Sequence, residues 1–256
     1  MRLKDRVALV TGASRGIGKA IAERLAGEGA AIGVNYRSGK EQADEVVQEI
    51  EQNGGKAVAI QGDVSSYEDA EKVVAETIEK LGGLHILINN AGIARDTLIP
   101  NMGPEDWLDV MKVNFGGTFN CTKAAIPHFM GQRDGVVVNI SSVMGEKGWM
   151  GASNYAASKA AVNSCTRCCA IEMARFGIRV NAVLPGFAPT DMVSGLVDKD
   201  GGKSISKQLP MKELGHVDDV ANCALFLASA DSSYMTGSFM TVDGGAFAQL
   251  ALGKPL

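Results

Sequence analysis

The sequence has no apolar run of the ~20 residues that a bilayer-spanning helix needs, no block of Lys or Arg, and no cysteine spacing suited to a disulfide framework. The first absence, with a strand-like start (MRLKDRVALVTG) that leaves no room for a signal peptide, predicts a soluble cytoplasmic protein. The first also argues against a membrane as partner, and the second, with a net charge of −4, against nucleic acid. The cysteines number five, an odd count. Cys165-x-x-Cys168 falls mid-helix without a second ligand pair and reads, with Cys169, as small apolar helix residues. His85, His128 and His216 are scattered without ligand spacing, so no metal site is expected. Apolar content of 46% and charge of 21% exclude disorder, and 256 residues suffice for one domain, residues 1–256, with a substantial core.

What the chain does have is alternation. Arg6–Thr11 is an apolar run of the kind buried on both faces of a parallel sheet. It flows through Gly12-Ala13-Ser14-Arg15-Gly16-Ile17-Gly18 into a helix over Lys19–Glu28, and a second strand follows at Ala31–Tyr36. Glycines at a strand-to-helix turn let the backbone approach a pyrophosphate seated on the helix N-terminus. Where an NAD-binding unit places an acid for the ribose 2′-hydroxyl, this chain has Asn35-Tyr36-Arg37-Ser38 and no carboxylate. Arg37 and Arg15 suit a 2′-phosphate instead, because a planar guanidinium pairs with phosphate oxygens. NADP(H) is the expected cofactor.

The pattern repeats: a helix over 39–52, a strand from Lys56 to Val64, a capping-box pattern at Ser65-x-x-Glu68, and a strand from Leu84 to Asn89. That strand delivers Asn89-Asn90-Ala91-Gly92 at its carboxyl end, where ligands bind in open α/β sheets. Pro104 opens a long helix carrying Asn114 at its middle. Gly135–Ser142 is another strand, Tyr155 heads a helix to Phe176, and Arg179–Leu184, His216–Ala230 and Gly237–Val242 complete the series. Residues 187–214 lack regularity and read as a substrate lid. Seven strands alternating with helices predict an α/β fold, a doubly wound (Rossmann) parallel sheet with helices on both faces.

Ser141–Lys159 (SSVMGEKGWMGASNYAASK) carries the chemistry. Tyr155 and Lys159 are four apart, one above the other on a helix face. At ~4 Å and an effective dielectric of about 20 an ammonium attracts a phenolate by roughly 4 kcal/mol, enough to draw the phenol's pKa down. Ser142 could hydrogen-bond a carbonyl oxygen that the tyrosine protonates.

On TGASRGIG (Thr11–Gly18), NNAG (Asn89–Gly92), Asn114, Ser142, YAASK (Tyr155–Lys159) and PGFAPT (Pro185–Thr190), the chain resembles the short-chain dehydrogenase/reductase family over nearly its whole length. The resemblance implies that Tyr155 is the general acid/base, that Ser142 orients the carbonyl, and that Lys159 lowers the tyrosine pKa and holds the nicotinamide ribose. It also implies that Asn114 anchors a proton-relay water. The cofactor would lie along Gly12, Ser14, Arg15, Gly16, Ile17 and Gly18, with Arg37, Ser38, Asp63 and Val64 about its adenosine end. Asn90, Ala91 and Gly92 would meet its middle, and Pro185, Gly186 and Thr190, with Tyr155 and Lys159, its nicotinamide end. GIARD (Gly92–Asp96), LPGFAPTDM (Leu184–Met192) and TVDGG (Thr241–Gly245) are similar to the 3-oxoacyl-(acyl-carrier-protein) reductases of fatty acid synthesis. That subfamily implies carrier-protein docking through Arg133. A second docking arginine belongs where this chain has Phe176, with Arg175 one place earlier. Rival expectations are an acetoacetyl-CoA reductase, a sugar, polyol or steroid dehydrogenase, or a dinucleotide sensor without turnover. The helices at Pro104–Met130 and Tyr155–Phe176 form homotetramer interfaces in the family.

Overall fold

The computed structural model describes residues 1–190 and 202–248, so residues 191–201 of the expected lid lie outside the described part. Seven parallel strands form one sheet in the order β3-β2-β1-β4-β5-β6-β7, from β1 (Val7–Val10), β2 (Ala31–Tyr36) and β3 (Lys56–Gln61) to β4 (Ile86–Asn89), β5 (Gly135–Ile140), β6 (Ile178–Pro185) and β7 (Phe239–Val242). Period-two alternation sends Ala8, Val10, Ile86 and Ile88 to one face and Leu9 and Leu87 to the other. Each face needs a cover. On the first lie α1 (Gly16–Gly27) and α2 (Lys40–Gln52), and on the second α3 (Tyr67–Leu81), α4 (Pro104–Val110), α5 (Gly117–Gln132) and α6 (Ser153–Met173). A short α7 (Lys203–Ser206) falls within the expected lid, and α8 (Val217–Ala228) packs beside α1 on the first face. The doubly wound expectation holds.

Two local expectations are corrected. The cap of α3 is Ser66, not Ser65. The Asp63 carboxylate accepts from Ser65 N–H, and Ser66 Oγ then accepts from Asp69 N–H at 3.3 Å. The long helix opened by Pro104 is broken into α4, a π-helical turn at Met111–Gly116, and α5. The wider turn carries Asn114, and π turns inside helices recur at functional sites.

The strand order reverses between β1 and β4, and the chains leaving their carboxyl ends diverge to open a crevice. Thr11 fixes its floor: its hydroxyl accepts from the N–H groups of Asn90 and Ala91 at 2.9 and 3.0 Å. Asn35, buried at the end of β2, accepts from Gly12 N–H and donates to the carbonyls of Ile60 and Gly62. Four strand ends, those of β1, β2, β3 and β4, are thus stitched together by two polar side chains.

Candidate active site

The crevice is a cleft of about 540 Å³. Its lining gathers the glycine turn, Arg37 and Ser38 after β2, Asp63 and Val64 after β3, Asn90 to Gly92 after β4, and Ser142, Tyr155 and Lys159. Pro185, Gly186 and Thr190 close it after β6. Every residue expected to touch the cofactor lies on this wall. Asn114 is the exception among the expected site residues, being fully buried behind it.

At Gly12 and Gly18 the turn admits no side chain. A Cβ on Gly18 would stand 2.4 Å from the Gly12 carbonyl oxygen and 2.5 Å from Asn90 Nδ2, and Gly12 itself has φ +61°. Helix α1 starts at this turn with no side-chain cap and no acid in its first turn, so its leading N–H groups and positive dipole end are left to the cleft. That donor set fits a pyrophosphate. At the far end Arg37, on the cleft wall, presents an exposed guanidinium whose Nη1 lies 3.9 Å from Asp63 Oδ2.

At the near end Lys159, buried on α6, donates from Nζ to the Ile140 carbonyl at 2.8 Å. Burial pulls its pKa down to about 8. Tyr155 behaves opposite to the sequence expectation. Its phenol is pushed up to about 12 by burial, a hydrogen bond with Ser142 draws it back only in part, and the charge of Asp96 raises it further. The ammonium points at the strand carbonyl and lies 5.5 Å from the tyrosine ring centroid, so desolvation outweighs attraction.

Asn114 sits where α6 and the 90–95 loop meet. Its Oδ1 accepts from Ile93 N–H at 2.8 Å, and its Nδ2 donates to the Ile93 carbonyl and to Ser158 Oγ, both at 3.0 Å. Ser158 in turn donates to the Tyr155 carbonyl at 2.7 Å. Asn154 makes a second bridge, donating to the Arg95 carbonyl while its Oδ1 accepts Tyr155 N–H. Sequence reasoning missed Thr11, Asn35, Asn154 and Ser158. Short polar residues in otherwise apolar or helix-forming runs were the available signal.

Arg133 and the Arg175 backbone meet although they lie 42 residues apart in sequence. Arg133, in the left-handed conformation that ends α5, donates from Nη2 to the Arg175 carbonyl, and Arg175 stacks on the Phe176 ring at 4.7 Å.

The tetrad of Asn114, Ser142, Tyr155 and Lys159, three on the cleft wall and Asn114 buried behind it, defines a class together with the glycine turn. The chain belongs to the short-chain dehydrogenase/reductase family of oxidoreductases, whose chemistry joins a carbonyl and an alcohol. The family model described as enoyl-(acyl carrier protein) reductase matches residues 12–246. The 3-oxoacyl-(acyl-carrier-protein) reductase FabG of Staphylococcus aureus is 43% identical over 240 residues, covering 94% of this chain and 97% of that protein. The enzyme of the same name from Thermotoga maritima is 43% identical over 96% of this chain and 99% of its own length. Among solved structures, a gluconate 5-dehydrogenase from Burkholderia cenocepacia in complex with NADP and tartrate superposes with a TM-score of 0.93 at 35% identity, covering 97% of this chain and 98% of that one. Among the described residues no helix is long and apolar enough to cross a membrane.

Proposed function

We propose that the protein reduces a 3-oxoacyl thioester, carried by an acyl carrier protein, to the 3-hydroxyacyl thioester, using NADPH in cytoplasmic fatty acid synthesis. The observation that carries this reading is the Ser142–Tyr155 hydroxyl pair, placed in one cleft with the bare N-terminus of α1. Two adjacent hydroxyls suit a carbonyl oxygen that becomes an alkoxide. The family model's description names reduction of a carbon–carbon double bond, whereas the carbonyl reductases at 43% identity agree better with this pair.

Bound NADPH supplies the hydride. Ser142 holds the substrate oxygen, and Tyr155 gives it a proton. The phenol, raised by burial, is protonated at neutral pH, and a developing alkoxide is more basic still and can take its proton. Lys159 borders the cleft and is fixed by Ile140, in place to hold the nicotinamide ribose. Asn114 spends three side-chain hydrogen bonds on Ile93 and Ser158, so it positions the 90–95 loop against α6 in addition to the relay-water role that the resemblance implies. Arg15 and Arg37 select the 2′-phosphate. Arg133 and Arg175, brought to one surface, offer an acidic carrier protein two guanidinium groups. Exposed Phe119 on α5 and Ile171 on α6 suit burial in a homotetramer.

NADPH oxidation with acetoacetyl thioesters, set against a panel of sugars, polyols and simple ketones, tests the reading. Faster turnover of the thioesters supports it. Faster oxidation of a polyol or hexonate would favour the second reading, a polyol dehydrogenase, which the likeness to the gluconate 5-dehydrogenase motivates. Arg133→Glu should weaken carrier-linked substrates and spare CoA-linked ones.

A further inference from the structure

The loops that continue from the cleft wall at Arg95, Ser142 and Gly186 carry exposed apolar side chains just beyond it. The 146–152 loop offers Trp149, 40% exposed, and Met150, 85% exposed. The 97–101 loop, joined to it by a hydrogen bond from Thr97 N–H to the Gly151 carbonyl at 2.8 Å, offers Leu98 and Ile99, 49% and 73% exposed. From the loop after β6, Phe187 meets Trp149 edge to face, with ring centroids 5.3 Å apart and planes at 61°. Phe187 lies between Gly186 and Ala188, both on the cleft wall, and its own carbonyl accepts from Gly215 N–H.

The charged residues of the catalytic loop are committed elsewhere. Glu146 accepts from Asn163 Nδ2 at 2.8 Å and lies 3.9 Å from Arg167. Lys147 donates to the Phe247 carbonyl and covers the Phe247 ring. Asn163 and Phe247 thus hold the two charges and leave Trp149 and Met150 as the exposed apolar side chains of this loop. Among the described residues, Arg95 on the cleft wall and Asp96, whose charge acts on Tyr155, join Lys159 close to the reacting end.

We infer that Trp149 and Phe187, with Met150, Leu98 and Ile99, form a binding wall for the acyl chain beyond the 3-oxo group, so that chain length sets specificity. The inference rests on the thioester reading and deepens it. A hexonate, hydroxylated at every carbon beyond its carboxylate, would leave its hydroxyls unpaired against such a wall, whereas a saturated chain buries methylenes there. Each methylene that leaves water raises kcat/KM by about fourfold, the factor that corresponds to ~0.8 kcal/mol.

The experiment is NADPH oxidation with 3-oxobutanoyl, 3-oxohexanoyl and 3-oxooctanoyl N-acetylcysteamine thioesters, for the whole chain and for Trp149→Ser, Phe187→Ser and Trp149→Phe. We expect log kcat/KM to climb with chain length in the unaltered protein. Both serine variants should flatten that slope through KM, with about tenfold lost on the octanoyl substrate, and Trp149→Phe should restore most of it. A flat profile in the unaltered protein overturns the inference while leaving the thioester reading standing. A serine variant that lowers kcat equally for all three lengths also overturns it, because Trp149 would then be a structural anchor of the catalytic loop. Failure to reduce any of the three, with NADPH bound, overturns the thioester reading and this inference together.

Discussion

Replacing Lys159 with methionine isolates one buried charge. Burial lowers this lysine from 10.5 to about 8, a difference worth roughly 3 kcal/mol in the folded state. At neutral pH the group is charged in the folded and unfolded chains alike, so the folded protein carries the whole burial penalty. As the pH rises through about 8 the folded form loses its proton first, and the penalty falls until the unfolded chain also deprotonates near 10.5. The unaltered protein should therefore gain stability relative to Lys159→Met as the solution becomes alkaline. Linkage gives about 1.4 kcal/mol by pH 9 and about 2.5 kcal/mol by pH 10, both relative to pH 7. The absolute offset between the two proteins also contains the lost bond to the Ile140 carbonyl, a contribution of about 1–3 kcal/mol that does not move with pH. Urea unfolding at fixed protein concentration, repeated at each pH, reads the difference directly. A stability difference that stays level within about 0.5 kcal/mol from pH 7 to pH 10 refutes the reasoning. The ammonium would then have a charge partner, and the sequence expectation of a lysine facing a phenolate would be restored.

Three further outcomes follow from the geometry. Tyr155→Phe removes the proton donor without touching the glycine turn, so kcat should fall by about 10²–10⁴-fold while NADPH affinity, read by fluorescence titration, stays close to that of the unaltered protein. Arg37→Asp puts a carboxylate where the 2′-phosphate is proposed to lie, and the NADPH-to-NADH ratio of kcat/KM should drop by at least about tenfold in steady-state kinetics. An undiminished ratio would move the phosphate contact to Arg15. Gly18→Ala drives a methyl group into the Gly12 carbonyl and Asn90, and calorimetry should show dinucleotide binding lost or the melting temperature lowered by several degrees.

Much of this protein was legible in the chain itself. Runs such as RVALVT, GVVVNI and IRVNAVLP give buried parallel strands because both their faces must be covered, and the glycines between the first strand and helix are dictated by clearances a Cβ would violate. Tyr155 and Lys159 share a helix face by periodicity alone. These are local properties, settled within one or two elements.

The tertiary structure decided what depends on neighbours distant in sequence. It turned the Lys159 ammonium toward a strand carbonyl and packed protein about Tyr155, which reversed the expected direction of the phenol's pKa, because desolvation is a sum over surroundings that no spacing encodes. It placed Asn114 on a π turn, where the side chain ties Ile93 to Ser158. It brought Arg133 to Arg175 across 42 residues, and Trp149 to Phe187 from another strand's loop. Composition and periodicity determined which elements form and where the glycines and the tetrad fall along the chain. Packing between remote elements determined the acidity of the tetrad and the character of the mouth that admits its substrate.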